Sequence, residues 1–153
     1  MKNNKGFSLV ELIVVIAIMA ILAAVAIPTF AIFIKRANEA SDLDFMNNVE
    51  YAAELAYAGE AKKVTAIEVV LSKDMGNATS VKVTIEGVDT PIVVKETGNT
   101  GDDQEIKDLI AKTIDWKYDF KAKKADLEAN SKWKTSSNND GVEWTLTTSS
   151  AGQ

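Results

Sequence analysis

The first part of the chain is dominated by a continuous run of apolar residues. Between residues 12 and 34 every side chain is apolar except those of Pro28 and Thr29. As a helix, this run of 23 residues would be about 34 Å long, because each residue adds about 1.5 Å. The hydrocarbon core of a bilayer is about 30 Å thick. The pattern therefore predicts a membrane-spanning helix within residues 7–34.

From Lys35 onward the apolar residues become periodic. They recur every three or four positions, as on one face of a helix, at Ala40, Leu43, Met46, Val49, Ala53 and Ala56. Acidic residues fall at other positions around the same helix, at Glu39, Asp42, Glu50 and Glu54. Gly59 follows the last periodic position and predicts the end of the helix. We expect this second half to emerge into water and to pack its apolar face against a small domain, residues 35–153.

Capping patterns predict two shorter helices. Thr65 and Glu68 have the spacing of a capping box and precede an apolar run that ends near Gly76, although the β-branched residues of this run also suit a strand. Asp102 begins a second N-cap signal, which is followed by apolar residues at helical spacing up to Ile114. Both segments are therefore assigned to helices.

Strands are predicted where polar and apolar residues alternate. Residues 81–86 and 92–95 show this alternation on either side of a turn that contains Gly87, which is typical of a hairpin. Aromatic or apolar side chains alternate with charged or polar ones at residues 116–120 and 143–146. We interpret these aromatics as core-facing residues of an antiparallel sheet, since period-2 aromatics more often belong to a core than to a ligand platform.

Two polar segments complete the prediction. Residues 135–141 are predicted to be a turn or exposed loop, and residues 147–153 a loosely held tail. The predicted fold class is α+β, with a long N-terminal helix packed on a small antiparallel sheet and one or two short helices inserted.

Composition narrows the possible functions. The net charge is −5, and no dense Lys/Arg stripe occurs outside residues 121–124, so no direct binding of nucleic acid is expected. The chain has neither Cys nor His, which removes thiol chemistry, the usual general base near neutral pH and the commonest metal ligand. We therefore expect no enzymatic activity, no cofactor and no metal site.

Two acidic clusters contain oxygen ligands of the kind that calcium binds. One contains Asp102, Asp103 and Glu105, and the other lies within residues 138–143. Neither has the Asp-x-Asp-x-Asp-Gly loop that makes such a signal specific. Helix capping and a solvated turn account for them.

Residues 5–12 carry the most specific pattern in the chain. They read KGFSLVEL, which resembles the prepilin processing motif of type IV pilins and of the pseudopilins of type II secretion. The resemblance implies that residues 1–6 are a leader peptide, cleaved after Gly6, and that the new N-terminal residue, Phe7, is N-methylated. It also implies a pilin-like fold, in which the N-terminal helix forms the core of a filament.

Two further residues of the apolar segment have expected roles. A carboxylate costs on the order of 3 kcal/mol at the bilayer centre and less nearer the interface, so Glu11 is expected to have a partner. The resemblance implies that this partner is the Phe7 amine of a neighbouring subunit. Pro28 has no amide hydrogen and clashes with the carbonyl one turn back, so a helix break or kink is predicted between Ala24 and Pro28. Small residues also form a stripe that is either a close-packing surface or incidental, at Ala17, Ala20, Ala24 and Ala31.

The resemblance implies the structural subunit of a type IV pilus used in adhesion, motility or DNA uptake. Its partners would be other copies of the chain, a prepilin peptidase and methylase, an inner-membrane assembly platform and, before assembly, membrane lipid. The subunit would start in the cell membrane and end in a cell-surface pilus. The alternatives are a pseudopilin of a secretion or competence system, a simple membrane-anchored binding domain, and a secretory signal peptide cleaved near residues 24–26.

Overall fold

The computed structural model describes residues 8–60, 62–71, 76–101, 103–122, 126, 133–137 and 144–149. Within them the chain forms two helices and five strands. In chain order these are α1 (Leu9–Ala58), β1 (Val64–Leu71), β2 (Ala78–Ile85), β3 (Ile92–Val94), α2 (Gln104–Thr113), β4 (Lys134–Ser137) and β5 (Trp144–Ser149). The predicted long N-terminal helix is therefore confirmed, and it ends one residue before Gly59.

The chain divides into two compact units, Met1–Ala37 and Asn38–Gln153. In the first unit, every described residue is part of α1 or directly precedes it, and all of them are exposed. The second unit contains the rest of α1 and all the other described elements. The buried core of the described residues lies entirely in this second unit, called the head domain below.

The sheet of the head domain is antiparallel, with the strand order β3-β2-β1-β5-β4. β1 is the central strand, and Val69 stands opposite Val81 on one side and Leu146 on the other. β2 and β3 form the predicted hairpin, which is confirmed. After β2 the chain turns at Gly87, whose φ of 78° lies in the left-handed region that glycine adopts at no steric cost.

The second half of α1 contributes one face to the core. Met46, Val49, Ala53 and Tyr57 are at most 1% exposed and recur at helical spacing. They join one cluster with residues from β1, β2, β3 and α2. The predicted amphipathic face is thus confirmed, except that Ala40 at its start is exposed.

The helix predicted after Thr65 is wrong, because this segment is strand β1. Val69, Val70 and Leu71 are all buried, so both faces of the strand are covered at this end and the polar alternation of a surface strand is missing. The Thr65 hydroxyl donates to the Thr84 carbonyl oxygen at 3.2 Å, on the neighbouring strand. Tertiary pairing has therefore overridden the local capping signal.

The second predicted helix is confirmed as α2, with Ile110 and Ala111 buried. Asp103 occupies its N-cap position but makes no side-chain capping hydrogen bond. Asp102, where the capping signal begins, lies outside the described residues.

The aromatic segment at residues 116–120 faces the core as predicted, but it is not a strand. It is irregular, and Trp116 and Phe120 are nevertheless buried. The Trp116 indole donates to the Ala111 carbonyl oxygen at 2.8 Å, and Tyr118 stacks on Phe45 with ring centroids 4.8 Å apart. The segment thus covers the core by anchoring single side chains to α2 and α1.

The C-terminal predictions are corrected in part. The predicted loop at residues 135–141 begins with three residues of β4, and the predicted tail begins with three residues of β5. The strand predicted around Trp144 and Leu146 is confirmed as part of β5. Residues 138–143 and 150–153, including the second acidic cluster, lie outside the described residues.

Candidate functional site

The candidate site is the first turn of α1 and the apolar surface that follows it. α1 begins directly after Ser8, whose carbonyl oxygen accepts from the Leu12 amide at 3.2 Å. The Ser8 amide donates to Glu11 Oε2 at 2.8 Å. This is one half of a capping box, in which the side chain of the third helical residue accepts a hydrogen bond from the backbone amide of the residue that precedes the helix.

The capping contact gives Glu11 a local role that our sequence prediction missed. The signal was present, because Ser8 and Glu11 have the Ser-x-x-Glu spacing of a capping box. A carboxylate in the first turn also interacts favourably with the positive end of the helix dipole. Glu11 is therefore stabilised within its own chain. Its pairing with a neighbouring subunit stays a prediction.

Gly6 and Phe7 lie outside the described residues. Cleavage after Gly6 and methylation of Phe7 therefore stay predictions, and so does the leader peptide at residues 1–6. The described part of the chain begins two residues after the predicted cleavage site.

The apolar residues of the first half of α1 are all exposed. Leu9 keeps 73% of its accessible surface and Ile27 keeps 70%. Among the described residues, α1 is the single helix long and apolar enough to cross a membrane, with a mean hydropathy of 3.0 over its most apolar stretch. Contiguous exposed apolar surface of this extent is typical of sites that contact lipid or other proteins.

A shallow apolar groove runs along this half of the helix. Its volume is about 400 Å³, and it is lined by Leu22, Val25, Ala26, Thr29, Phe30 and Phe33. The aromatic rings at its C-terminal end are large and rigid, and the small side chain of Ala26 lets another helix approach. The groove therefore combines large and small side chains, as surfaces that pack against other helices do.

Pro28 lies inside α1, and the helix continues through it. The proline ring removes the amide that would bind the Ala24 carbonyl oxygen. Beside it, the Thr29 hydroxyl donates to the Val25 carbonyl oxygen at 2.9 Å. The helix does not end at Pro28 in this structure, and loosening of the helix there on assembly stays a prediction.

Asp42 is a buried carboxylate that our sequence prediction assigned to the polar side of the helix. It is 0% exposed and accepts from the Tyr118 hydroxyl at 2.7 Å, from the Ala122 amide at 2.6 Å and from the Lys121 amide at 3.0 Å. Burial, followed by the bond to Asp42, raises the pKa of Tyr118 to about 12. These bonds fasten residues 118–122 to α1. No sequence pattern indicates this contact, because its partners are far apart along the chain.

The described residues contain no group of three or more His, Cys, Asp or Glu side chains placed to hold a metal ion. Of the first acidic cluster, Asp103 and Glu105 are described, and they belong to the start of α2.

Comparison with known families finds one match. Residues 1–27 match the prokaryotic N-terminal methylation motif, the hallmark of type IV pilin and pseudopilin precursors. The resemblance read from residues 5–12 is thus confirmed. No curated protein and no solved structure matches the chain. The match covers the candidate site and the apolar helix up to Ile27, and the head domain lies outside it.

Proposed function

We propose that this chain, a precursor of the type IV pilin and pseudopilin kind, is the structural subunit of a type IV pilus. The observation that supports this best is the combination of the methylation motif at residues 1–27 with a single helix, α1. The apolar residues of the first half of that helix are all exposed, and its second half is built into the head domain. One element thus offers an assembly surface and carries a folded domain.

Before assembly, the apolar half of α1 lies in the cell membrane with lipid covering its exposed side chains. A prepilin peptidase removes residues 1–6 and leaves a new amine on Phe7, which a methylase modifies. An α-amine has a pKa of about 8, so it is mostly charged at neutral pH. Processing therefore creates a positive charge one helical turn from the carboxylate of Glu11.

During assembly, the apolar surface leaves the lipid and packs against the same surface of other copies. Lipid tails are as apolar as these side chains, so the helices associate through close packing and polar contacts more than through the hydrophobic effect. The Phe7 amine of one copy pairs with Glu11 of another. An inner-membrane platform is needed to extract the subunits, and the product is a filament on the cell surface.

The fate of the N-terminus tests the proposal. Filaments are sheared from the cells, and the subunit is analysed by intact mass and N-terminal sequencing. We expect a chain that begins at methylated Phe7. A chain that begins at Ile27 would show an ordinary secretion signal, and an uncleaved chain confined to the membrane would show a plain anchor.

The length of the assembled fibre separates a pilus from a pseudopilus. We expect long surface filaments that contain this chain as their main component. Processed chain that stays within the cell envelope, in a cell that carries a type II secretion or competence machine, would favour the pseudopilin alternative.

A further inference from the structure

A cleft in the head domain concentrates positive charge. Its volume is about 590 Å³, and it lies between the start of β3, the loop of residues 95–101 and the first turns of α2. Lys62, Lys95 and Lys107 line it, and among the described lining residues Asp103 is the one that carries a negative charge. The whole chain has a net charge of −5, so this local excess of ammonium groups runs against its overall charge.

The buried side-chain amide of Asn99 holds one wall of the cleft in place. Asn99 is 8% exposed, its Oδ1 accepts from the Lys95 amide at 2.9 Å, and its Nδ2 donates to the Lys95 carbonyl oxygen at 2.9 Å. The same Nδ2 donates to Asp108 Oδ1 of α2 at 3.1 Å. This network holds residues 95–99 in one conformation against α2. A preformed wall reduces the entropy that a bound ligand would otherwise have to offset.

The three ammonium groups differ in how much of their bonding capacity is used. Lys62 forms an ion pair with Glu60 at 2.6 Å, and Lys107 donates to the Thr100 carbonyl oxygen at 2.7 Å. The Lys95 ammonium is exposed and has no hydrogen-bond or ion-pair partner among the described residues. Each ammonium carries three donors, so Lys95 and Lys107 keep donors for a ligand.

The remaining lining is apolar or weakly polar. Ile92 and Pro91 form an apolar side, and Thr90 adds a hydroxyl. Clefts of about 300–1,000 Å³ are the usual size for small-molecule sites. A charged end and an apolar side suit a ligand that has an anionic group on a compact body.

We propose that this cleft binds a small anionic ligand, a carboxylate or phosphate carried on a body the size of one sugar ring. Lys95 and Lys107 bind the anionic group, and the side formed by Pro91 and Ile92 contacts the body. On a surface filament, the source would be a uronic acid or a sugar phosphate of a polysaccharide. The binding does not depend on filament assembly, so the two proposals fail separately.

The test is calorimetric titration of the full chain in detergent micelles with four probes. These are glucuronate, glucose 6-phosphate, glucose and inorganic phosphate. We expect at least one of the two anionic sugars to bind about tenfold more tightly than glucose, because a charged hydrogen bond contributes about this factor. Tighter binding of glucuronate would identify a uronic acid as the source, and tighter binding of glucose 6-phosphate would identify a sugar phosphate.

Matched variants localise the binding. Lys95→Gln should raise the Kd of the preferred sugar about tenfold, whereas Lys117→Gln makes the same change at an exposed lysine outside the cleft and should leave it unchanged. Equal losses in both variants, equal affinity for glucose, or no saturable binding would overturn the proposal. Inorganic phosphate binding as tightly as the preferred sugar would also overturn it, since the body would then make no contact.

Discussion

Substitutions of Glu11 can distinguish a role in filament assembly from a purely local role in capping α1. Its carboxylate accepts a hydrogen bond from the Ser8 amide at 2.8 Å within its own helix. In an assembled filament the same carboxylate is expected to pair with the Phe7 amine of another copy. The substitution Glu11→Gln keeps the capping geometry, because Gln also serves at this position of a capping box, but it removes the charge. Glu11→Val removes both.

The two roles differ in magnitude. Loss of a capping contact costs about 0.5–2 kcal/mol, and the dipole interaction of an exposed first-turn carboxylate is worth about 0.3–1 kcal/mol. Removing one partner of a buried ion pair costs about 3–5 kcal/mol, because the other charge is left buried and unpaired. At about 1.4 kcal/mol per factor of ten, that loss corresponds to a decrease of two to three and a half orders of magnitude in subunit affinity.

The assay is the yield and length of sheared filaments from cells that express each variant, after checking that the chain is cleaved and inserted in the membrane. We expect Glu11→Gln and Glu11→Val to abolish filaments alike. Glu54→Val, at an exposed position of the same helix in the head domain, is the control and should assemble normally. If Glu11→Gln forms filaments of normal number and length, the carboxylate acts only as a helix cap and the ion-pair reasoning is refuted.

Three further predictions concern the head domain. Asp42→Ala should lower the free energy of unfolding by about 3 kcal/mol in urea titrations, because it leaves buried donors unpaired, whereas Asp44→Ala at an exposed neighbouring position should change it by less than about 0.5 kcal/mol. The pKa of Tyr57, like that of Tyr118, is raised to about 12, mainly by burial. A raised phenol pKa means that the folded state holds the proton more tightly, so stability should be intact below about pH 10 and fall as the pH rises towards 12; a phenolate absorbance titration with Tyr→Phe variants checks this. A fragment of residues 35–153 should be soluble and folded by circular dichroism without detergent, since the described core lies within it; aggregation of this fragment would contradict the division of the chain.

Short sequence patterns predicted the elements that form between residues close together in the chain. The apolar run and the periodic residues after it predicted α1, and helical spacing predicted α2. Alternation and a turn glycine predicted the β2–β3 hairpin, in which neighbouring strands are also neighbours in sequence. The capping contact of Glu11 belongs to the same class, because Ser8 lies only three residues away. It was readable from the sequence and was missed.

The central strand β1 shows where prediction from local sequence patterns fails. Thr65 and Glu68 have the spacing of a helix cap, and three successive residues at the end of the segment are buried. A strand covered on both faces has no period-2 alternation, so its pattern resembles a buried helix. Its state is decided by pairing with β2 and with β5, which lies more than seventy residues away along the chain.

The membrane-type helix, the processing motif and the α+β class could be predicted from the sequence, because they depend on composition and on spacing within a few residues. The burial of Asp42 could be seen in the folded chain alone, since its donors come from residues 118–122. The tertiary structure also brought Lys62, Lys95 and Lys107 to one cleft, although they are scattered along the chain. Ion pairs and hydrogen bonds depend on the distance between groups in space. That distance cannot be inferred from the spacing of residues along the sequence.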